Sequence, residues 1–412
     1  MSGTYLDLMS PAAFRELLGT FPALGPETVT TDKALGRYLL NDLQSPEDLP
    51  AYPRSSMDGY AVRAADCFGA TETNPTYLSL AIDLDITTVS EHHLAPGQCA
   101  RVVTGSSLPP GADAVIMVEH TQELGEGTIE IRKSAAPGDN MQMAGEDVQA
   151  GETALKAGVV LRPVEIGLLA ALGLTRVEVR RCPKAAVIST GDELVPQEAK
   201  PGPGHIRDLN APALRDLIRQ AGAEPVMLGI VPDQVRAIAR AMAQALEVSD
   251  AVFVSGGSSV GHSDFTLRAI KELPRAEILA HGLAVKPGKP TILARVGRKA
   301  VWGLPGQAAS AQVVMFVFGR PFLAHLAGDP QAFDQPRPGF PAFLSRNLAS
   351  CHGRDDYVRV RLTRPQGRQL LATPILGQSG LLKTLIKAQG LICIPAELEG
   401  LEAGTPVFVE PL

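Results

Sequence analysis

Cysteine, excess positive charge and long apolar runs are all scarce in this 412-residue sequence, and each scarcity removes a class of protein. Cys67, Cys99, Cys182, Cys351 and Cys393 stand far apart, odd in number and without a Cys-x-x-Cys pair. That spacing offers neither a disulfide framework nor a thiolate zinc site, so buried, reduced thiols are expected. Histidine gives no metal spacing either, because the adjacent His92 and His93 point in different directions on a strand or a helix. The formal net charge is −6, with lysine and arginine scattered along the chain, so the cationic footprint of a nucleic-acid binder is missing. The opening MSGTYLDLMSPAAFRELL has an early aspartate and no basic segment ahead of an apolar one. No later run approaches the length needed to cross a bilayer, so the expectation is a soluble, cytoplasmic protein without a membrane span.

Ordinary globular material is what remains. Hydrophobic residues at 45% and charged residues at 20% are enough to bury cores and too little charge for disorder. The length exceeds what one core supports, which implies several domains of roughly 100–150 residues. Between Pro183 and Leu326, short β-branched runs alternate with helical stretches, the pattern of a parallel sheet with crossover helices. Ala185–Ser189 runs into Thr190-Gly191-Asp192-Glu193, with Asn210 as N-cap of the next helix. Val226–Val231 precedes an alanine-rich helix, Gln234–Leu246. Ala251–Ser255 ends in Gly256-Gly257-Ser258-Ser259-Val260-Gly261, with a helix from Ser263 or Asp264, and Ala300–Gly303 ends in Leu304-Pro305-Gly306 before a helix from Ala308 to Phe318. Several loops thus leave the carboxyl ends of strands in one sheet, where open α/β folds place ligands. From Ala51 to Gln149 the chain reads as a mainly β insertion. Asp32–Leu43 and Pro163–Leu172 read as helices of a connecting module, and the stretch after Pro336 as a small β-barrel or sandwich.

Three segments carry chemistry. The loop Ser255–Gly261 is neither a Walker loop nor a dinucleotide fingerprint, yet its paired glycines and the helix start beyond them suit either an anion or a plain tight turn. Asp192, Glu193 and Asp264 lie at strand ends of the same sheet. Carboxylates beside a phosphate require a divalent cation between them, and the alternative is that they are helix caps and solvated charges. Lys286-Pro287-Gly288-Lys289-Pro290 is expected to be extended and polyproline-like, with both ammonium groups on one face and an oxyanion bridging them. Pro305, Gly306 and Ser310 stand ready to add backbone and hydroxyl donors.

Taken together, several motifs resemble the molybdopterin molybdotransferase family, the MoeA-like proteins and the gephyrin E domain. They are Ser56-Met57-Asp58-Gly59-Tyr60-Ala61-Val62, Thr104-Gly105 with Gly111-Ala112-Asp113-Ala114-Val115, Gly145-Glu146-Asp147, Ser189-Thr190-Gly191-Asp192-Glu193-Leu194, Ser255-Gly256-Gly257 through Asp264, and Lys286-Pro287-Gly288-Lys289-Pro290. The resemblance implies a multidomain α/β plus β protein. Residues 1–26 and 176–330 would form a parallel-sheet α/β molybdopterin-binding domain, 27–50 and 148–175 a connecting helical module, 51–147 a mainly β insertion facing a partner subunit, and 331–412 a C-terminal β-barrel-like domain.

It implies, too, a homodimer that inserts molybdate into adenylylated molybdopterin and releases AMP, served by a molybdopterin adenylyltransferase and by apo-molybdoenzymes. Carried over residue by residue, Asp58, Asp147, Glu193 and Asp264 resemble the acidic catalytic set, with Glu193 and Asp264 as Mg²⁺ ligands. Thr104, Thr190, Gly191, Asp192, Ser255, Gly256, Gly257 and Ser258 resemble pterin-side contacts. Lys286, Lys289, Pro305, Gly306, Ser310, Arg354 and Ser379 resemble the molybdate side. Where the family reads Gly-Leu-Pro-Gly-Asn-Pro-x-Ser, this chain has Gly303-Leu304-Pro305-Gly306-Gln307-Ala308-Ala309-Ser310. That departure leaves open a non-catalytic paralogue that binds the pterin or the finished cofactor and delivers it to, or scaffolds, partner proteins, and also a different phosphoester hydrolase that reuses the fold.

Overall fold

In the computed structural model, residues 8–256, 263–334, 338–365, 369–378 and 380–412 are described, without the side chains of Ser263 and Asp264. The chain divides into two compact units: residues 1–28, 36–40 and 178–412 form one, and 29–35 with 41–177 the other.

The larger unit is built on a six-stranded sheet. Its order is Glu224–Val231, Lys184–Thr190, Ala251–Gly256, Lys299–Leu304, Ile292–Val296 and Ala276–His281. The first four strands are parallel, and the last two add an antiparallel edge. Central strands of such a sheet are covered on both faces and therefore read as continuous apolar runs: every residue of Ala251–Ser255 is buried. One face is covered by helices Pro11–Gly19, Asn210–Gln220 and the Ala308–Leu326 stretch, where Trp302 packs 5.4 Å from Phe14 and 5.5 Å from Phe253 and Phe322, ring centre to ring centre. On the other face, Val235–Val248 turns Ile238, Ala241, Met242 and Ala245 inward at helical spacing beside the helix Ser263–Glu272. The antiparallel edge was missed in the sequence, because both of its strands are flanked by charged and glycine-rich residues that read as loop.

Ala308–Leu326 joins two α-helical segments through a π-helical turn at Met315–Gly319. Against the expectation from sequence, it is apolar and long enough to cross a membrane. A share of 78% lies buried inside the unit, however, as expected of a core helix.

The C-terminal region of the same unit is a closed barrel. Strand Asp355–Thr363 pairs with both Leu371–Pro374 and Gly390–Ile394, and the circuit runs through Phe340–Leu344 and Pro406–Pro411. A two-residue strand, Val285–Lys286, leaves the α/β layer and adds to this barrel in parallel, with Lys286 opposite Asp356.

The smaller unit holds a mixed six-stranded sheet ordered Ala114–Met117, Gly59–Val62, Gln98–Val102, Thr76–Asp83, Thr128–Ile131 and Thr121–Gly125. Gly59 pairs with neighbours on both sides, and a Cβ there would overlap the Ile116 carbonyl, so this crowded position requires glycine. The connecting module is less helical than expected. Pro163–Ala171 is a helix, but Asp32–Leu43 contains only the 3₁₀ turn Thr31–Lys33 before the strand Leu43–Gln44. Leu35, Leu39 and Leu40 mimic helical spacing, and Gly36 at φ +75° breaks it.

Candidate active site

In the larger unit the predicted loops converge by register. Thr190 lies opposite Gly256, and Ser255 opposite both Ser189 and Leu304, so three loops leave the sheet at one level. Ile292 pairs with Gly303, so the Lys286–Pro290 turn enters the sheet at the same edge from which Pro305 and Gly306 depart. Gly288 carries φ +122°, and a Cβ on it would come within 2.5 Å of Val314 Cγ2. The turn is therefore wedged against the helix Ala308–Val314, on which the buried Ser310 stands one turn before Val314.

Spacing between these loops is set by polar contacts. Asn210 Nδ2 donates to Ser255 Oγ at 2.8 Å and to the Gly306 carbonyl at 2.7 Å, joining a helix start to two strand ends. The acceptor-only carbonyl fixes which end of the amide faces it. Asn210 is expected to be an N-cap, but the cap position falls on Leu209, and the backbone N–H groups of Asn210 and Ala211 donate to Asp208 Oδ1 at 3.1 Å each. Thr190 Oγ1 donates to Asp233 Oδ1 at 2.6 Å, and the Asp233 backbone N–H donates to Asp192 Oδ1 at 3.1 Å. Gly256 is needed beside this pair, since a Cβ there would sit 2.6 Å from Thr190 Cγ2. The Glu193 carboxylate folds back over Gly191, 2.8 Å from where a Cβ would be.

The lysine segment is a turn and not the extended polyproline stretch expected from its prolines, since Pro287–Pro290 reverses direction and Thr291 Oγ1 donates to the Gly288 carbonyl at 2.7 Å. Both Lys286 and Lys289 are exposed. Beneath Lys286 lies a carboxylate that motif reading overlooked. Asp356 Oδ2 is 3.6 Å from Lys286 Nζ, and its Oδ1 accepts from Arg354 Nε at 3.0 Å. Arg354 thereby joins the lysine turn. Gly257, Ser258, Ser379 and the side chain of Asp264 lie outside the described residues.

In the smaller unit Asp58 and Thr104 come together. Asp58 Oδ1 accepts from the Thr104 backbone N–H at 2.7 Å and from Thr104 Oγ1 at 2.9 Å, and these two bonds, backbone first, hold its carboxyl below the usual value. Asp58 opens on a crevice of about 370 Å³ shared with Tyr60, Arg101 and Glu123. Asp147 is exposed on a neighbouring turn. That turn follows the two-residue ladder pairing Met141–Gln142 with Arg54–Ser55, just ahead of Asp58. No cluster of three or more histidine, cysteine, aspartate or glutamate side chains fit to hold a metal occurs among the described residues.

Asp208, Asp233 and Asp356, absent from the motif reading, share one signal, a short acidic side chain within two residues of a strand end. That signal becomes specific only when the strand order is known.

The fold and its strand-end loops define an open α/β protein, the kind that takes ligands at the carboxyl ends of its strands. The comparisons specify it. Residues 9–173 match the family described as the MoeA N-terminal region (domain I and II), 186–325 the probable molybdopterin binding domain, and 341–412 the MoeA C-terminal region (domain IV). Molybdopterin molybdenumtransferase of Bacillus subtilis is 33% identical, over 93% of this chain and 89% of that protein. The Haemophilus influenzae protein of the same name is 32% identical, over 93% of each. A crystal structure of a molybdopterin biosynthesis MoeA protein from Pyrococcus horikoshii OT3 superposes with a TM-score of 0.83 at 28% identity, covering 98% of this chain and 100% of that one. This chain belongs to the MoeA family.

Proposed function

We propose that this chain completes the molybdenum cofactor, inserting molybdate into adenylylated molybdopterin with release of AMP. The observation that carries the reading is the register that brings the Thr190, Ser255–Gly256 and Pro305–Gly306 loops and the Lys286–Lys289 turn to one sheet edge. One side of that edge is glycine-rich and backbone-lined, suited to a pyrophosphate. The other is cationic and suited to a dianionic oxyanion. Relatives aligned over nine-tenths of the chain bear the transferase name, which disfavours the delivery-only alternative.

Within this reading Thr190, Asp192, Ser255 and Gly256 hold the pterin adenylate, with Gly191, Gly257 and Ser258 in the same loops. Lys286, Lys289, Ser310, Arg354 and Ser379 hold molybdate, with Pro305 and Gly306 shaping the wall. Asp58, Asp147, Glu193 and Asp264 serve the pyrophosphate and its attacking water, and Thr104 orients Asp58. Mg²⁺ is the metal of this reading, since one or two carboxylates plus phosphate oxygens suffice to hold it and Glu193, folded back over Gly191, would supply one. When bound it supplies charge neutralisation of the pyrophosphate. Glu193 and Asp264 are its proposed ligands.

The same reading extends to a cytoplasmic homodimer in which the β insertion of one subunit, residues 51–147, faces the α/β domain of the other. It keeps the four-part division given above, and makes a molybdopterin adenylyltransferase and apo-molybdoenzymes the upstream and downstream partners. Molybdate-dependent AMP release from adenylylated molybdopterin tests the activity. Pterin binding without AMP release would reverse the choice in favour of a delivery protein.

A further inference from the structure

Asp356 is 3% exposed, an unusual position for a carboxylate, and each of its oxygens faces a different cation. Oδ1 takes Arg354 Nε at 3.0 Å and Oδ2 lies 3.6 Å from Lys286 Nζ. The cations are more open than the acid: the side chains of Lys286 and Arg354 are 59% and 32% exposed, against 4% for Asp356. The acid is thus a floor with two cations above it. Arg354 is held through Nε, and among the described residues neither terminal nitrogen of its guanidinium has a hydrogen-bond partner, which leaves both for bidentate contact with an oxyanion. The backbone enforces the arrangement, since Lys286 and Asp356 are direct partners in a parallel ladder between the α/β layer and the barrel.

We infer that Asp356 is a positioning residue of the oxyanion pocket, one that aims Arg354 and Lys286 at molybdate. The inference rests on the reading of the Lys286–Lys289 turn as the molybdate side.

Calorimetric titration of the full-length chain with sodium molybdate tests it, with Lys289→Ala as the control for that reading, because Lys289 is outside the Asp356 contacts. Asp356→Asn is expected to weaken molybdate binding about tenfold, the scale of one charge-assisted contact, because the lost aim of Arg354 and Lys286 outweighs the removal of one negative charge beside the anion, and to leave affinity for adenylylated molybdopterin unchanged. Arg354→Lys keeps the charge but loses the Nε contact and the fork, and is expected to give the same loss. The double variant should be weaker than either single by no more than about twofold, because one acts through the other. Losses that add fully in the double variant, or wild-type molybdate affinity in Asp356→Asn, would overturn the inference while Lys289→Ala still binds weakly. Should Asp356→Asn fail to fold, Arg354→Lys decides alone: a tenfold loss supports the role and unchanged affinity overturns it. Unchanged binding in Lys289→Ala would instead remove the molybdate assignment of the turn, and this inference with it.

Discussion

The Asn210 carboxamide sits between Ser255 Oγ, 2.8 Å away, and the Gly306 carbonyl, 2.7 Å away, so one buried side chain sets the spacing of two strand-end loops. Asn210→Ala leaves the Gly306 carbonyl and the Ser255 hydroxyl without that donor. The expected cost is about 1–3 kcal/mol of stability, together with a loss of pterin-adenylate binding. Urea unfolding should show a lower midpoint at unchanged slope, and an unchanged midpoint would mean the two bonds are replaceable.

Crowding makes a second prediction at Gly256. A methyl group there meets Thr190 Cγ2 at 2.6 Å, and Thr190 cannot turn away without losing its 2.6 Å bond to Asp233. Gly256→Ala should destabilise by about 1–3 kcal/mol, the usual range for overpacking, and impair turnover. Adding Thr190→Ser removes the offending methyl and keeps the hydroxyl, so the double variant should recover most of both losses. If the second substitution makes matters worse, the clash is not the cause.

For Asp58 the prediction concerns pH. Its carboxyl is held below the ordinary 3.8 by the backbone and side-chain bonds from Thr104. A depressed folded-state value means the contact's contribution to stability is present above pH 3.8 and is lost as the pH falls through the lower folded value. Thr104→Val removes the hydroxyl donor and keeps the backbone one. The Asp58 titration followed by carboxyl-carbon NMR should then move upward, part of the way to the ordinary value. No movement would show that the backbone bond alone sets it.

Glu193→Gln keeps the shape over Gly191 and removes the charge. Thermal stability is expected to stay within about 0.5 kcal/mol of wild type, as for surface changes generally. The Mg²⁺ concentration needed for half-maximal AMP release should rise about tenfold or more, the range seen when support of a bound metal is lost. An unaltered Mg²⁺ requirement would take Glu193 out of the metal's reach.

How far the sequence carried these assignments depended on the kind of order involved. The parallel strands were legible because a strand covered on both faces must be apolar throughout, as Ala251–Ser255 is. The loops after them were legible for the same reason, since each begins where the apolar run stops. The turn at Lys286 was misread: two prolines restrict φ equally in an extended segment and in a reversal, and only Gly288 at φ +122° tells the two apart. Asp356 was invisible as a site residue because its partner Lys286 lies 70 positions away and the ladder joining them is two residues long. Asn210 was noticed but given the wrong task, because a helix-start asparagine has the same local sequence whether it caps its own helix or reaches across to Ser255.

The two-residue ladder between Val285–Lys286 and Asp355–Asp356 also bears on how this chain tolerates insertion and deletion over evolutionary time. Side chains alternate faces along a strand, so slipping this ladder by one residue would turn Lys286 away from Asp356 without altering a single amino acid. Length changes between these segments are therefore tolerable only where they leave the ladder in register. A single-residue gain between Arg354 and Asp356 would not. In this family member the pairing of Lys286 with Asp356 is in effect specified by counting, and frame-preserving changes of length near residue 355 should be rarer than substitutions there.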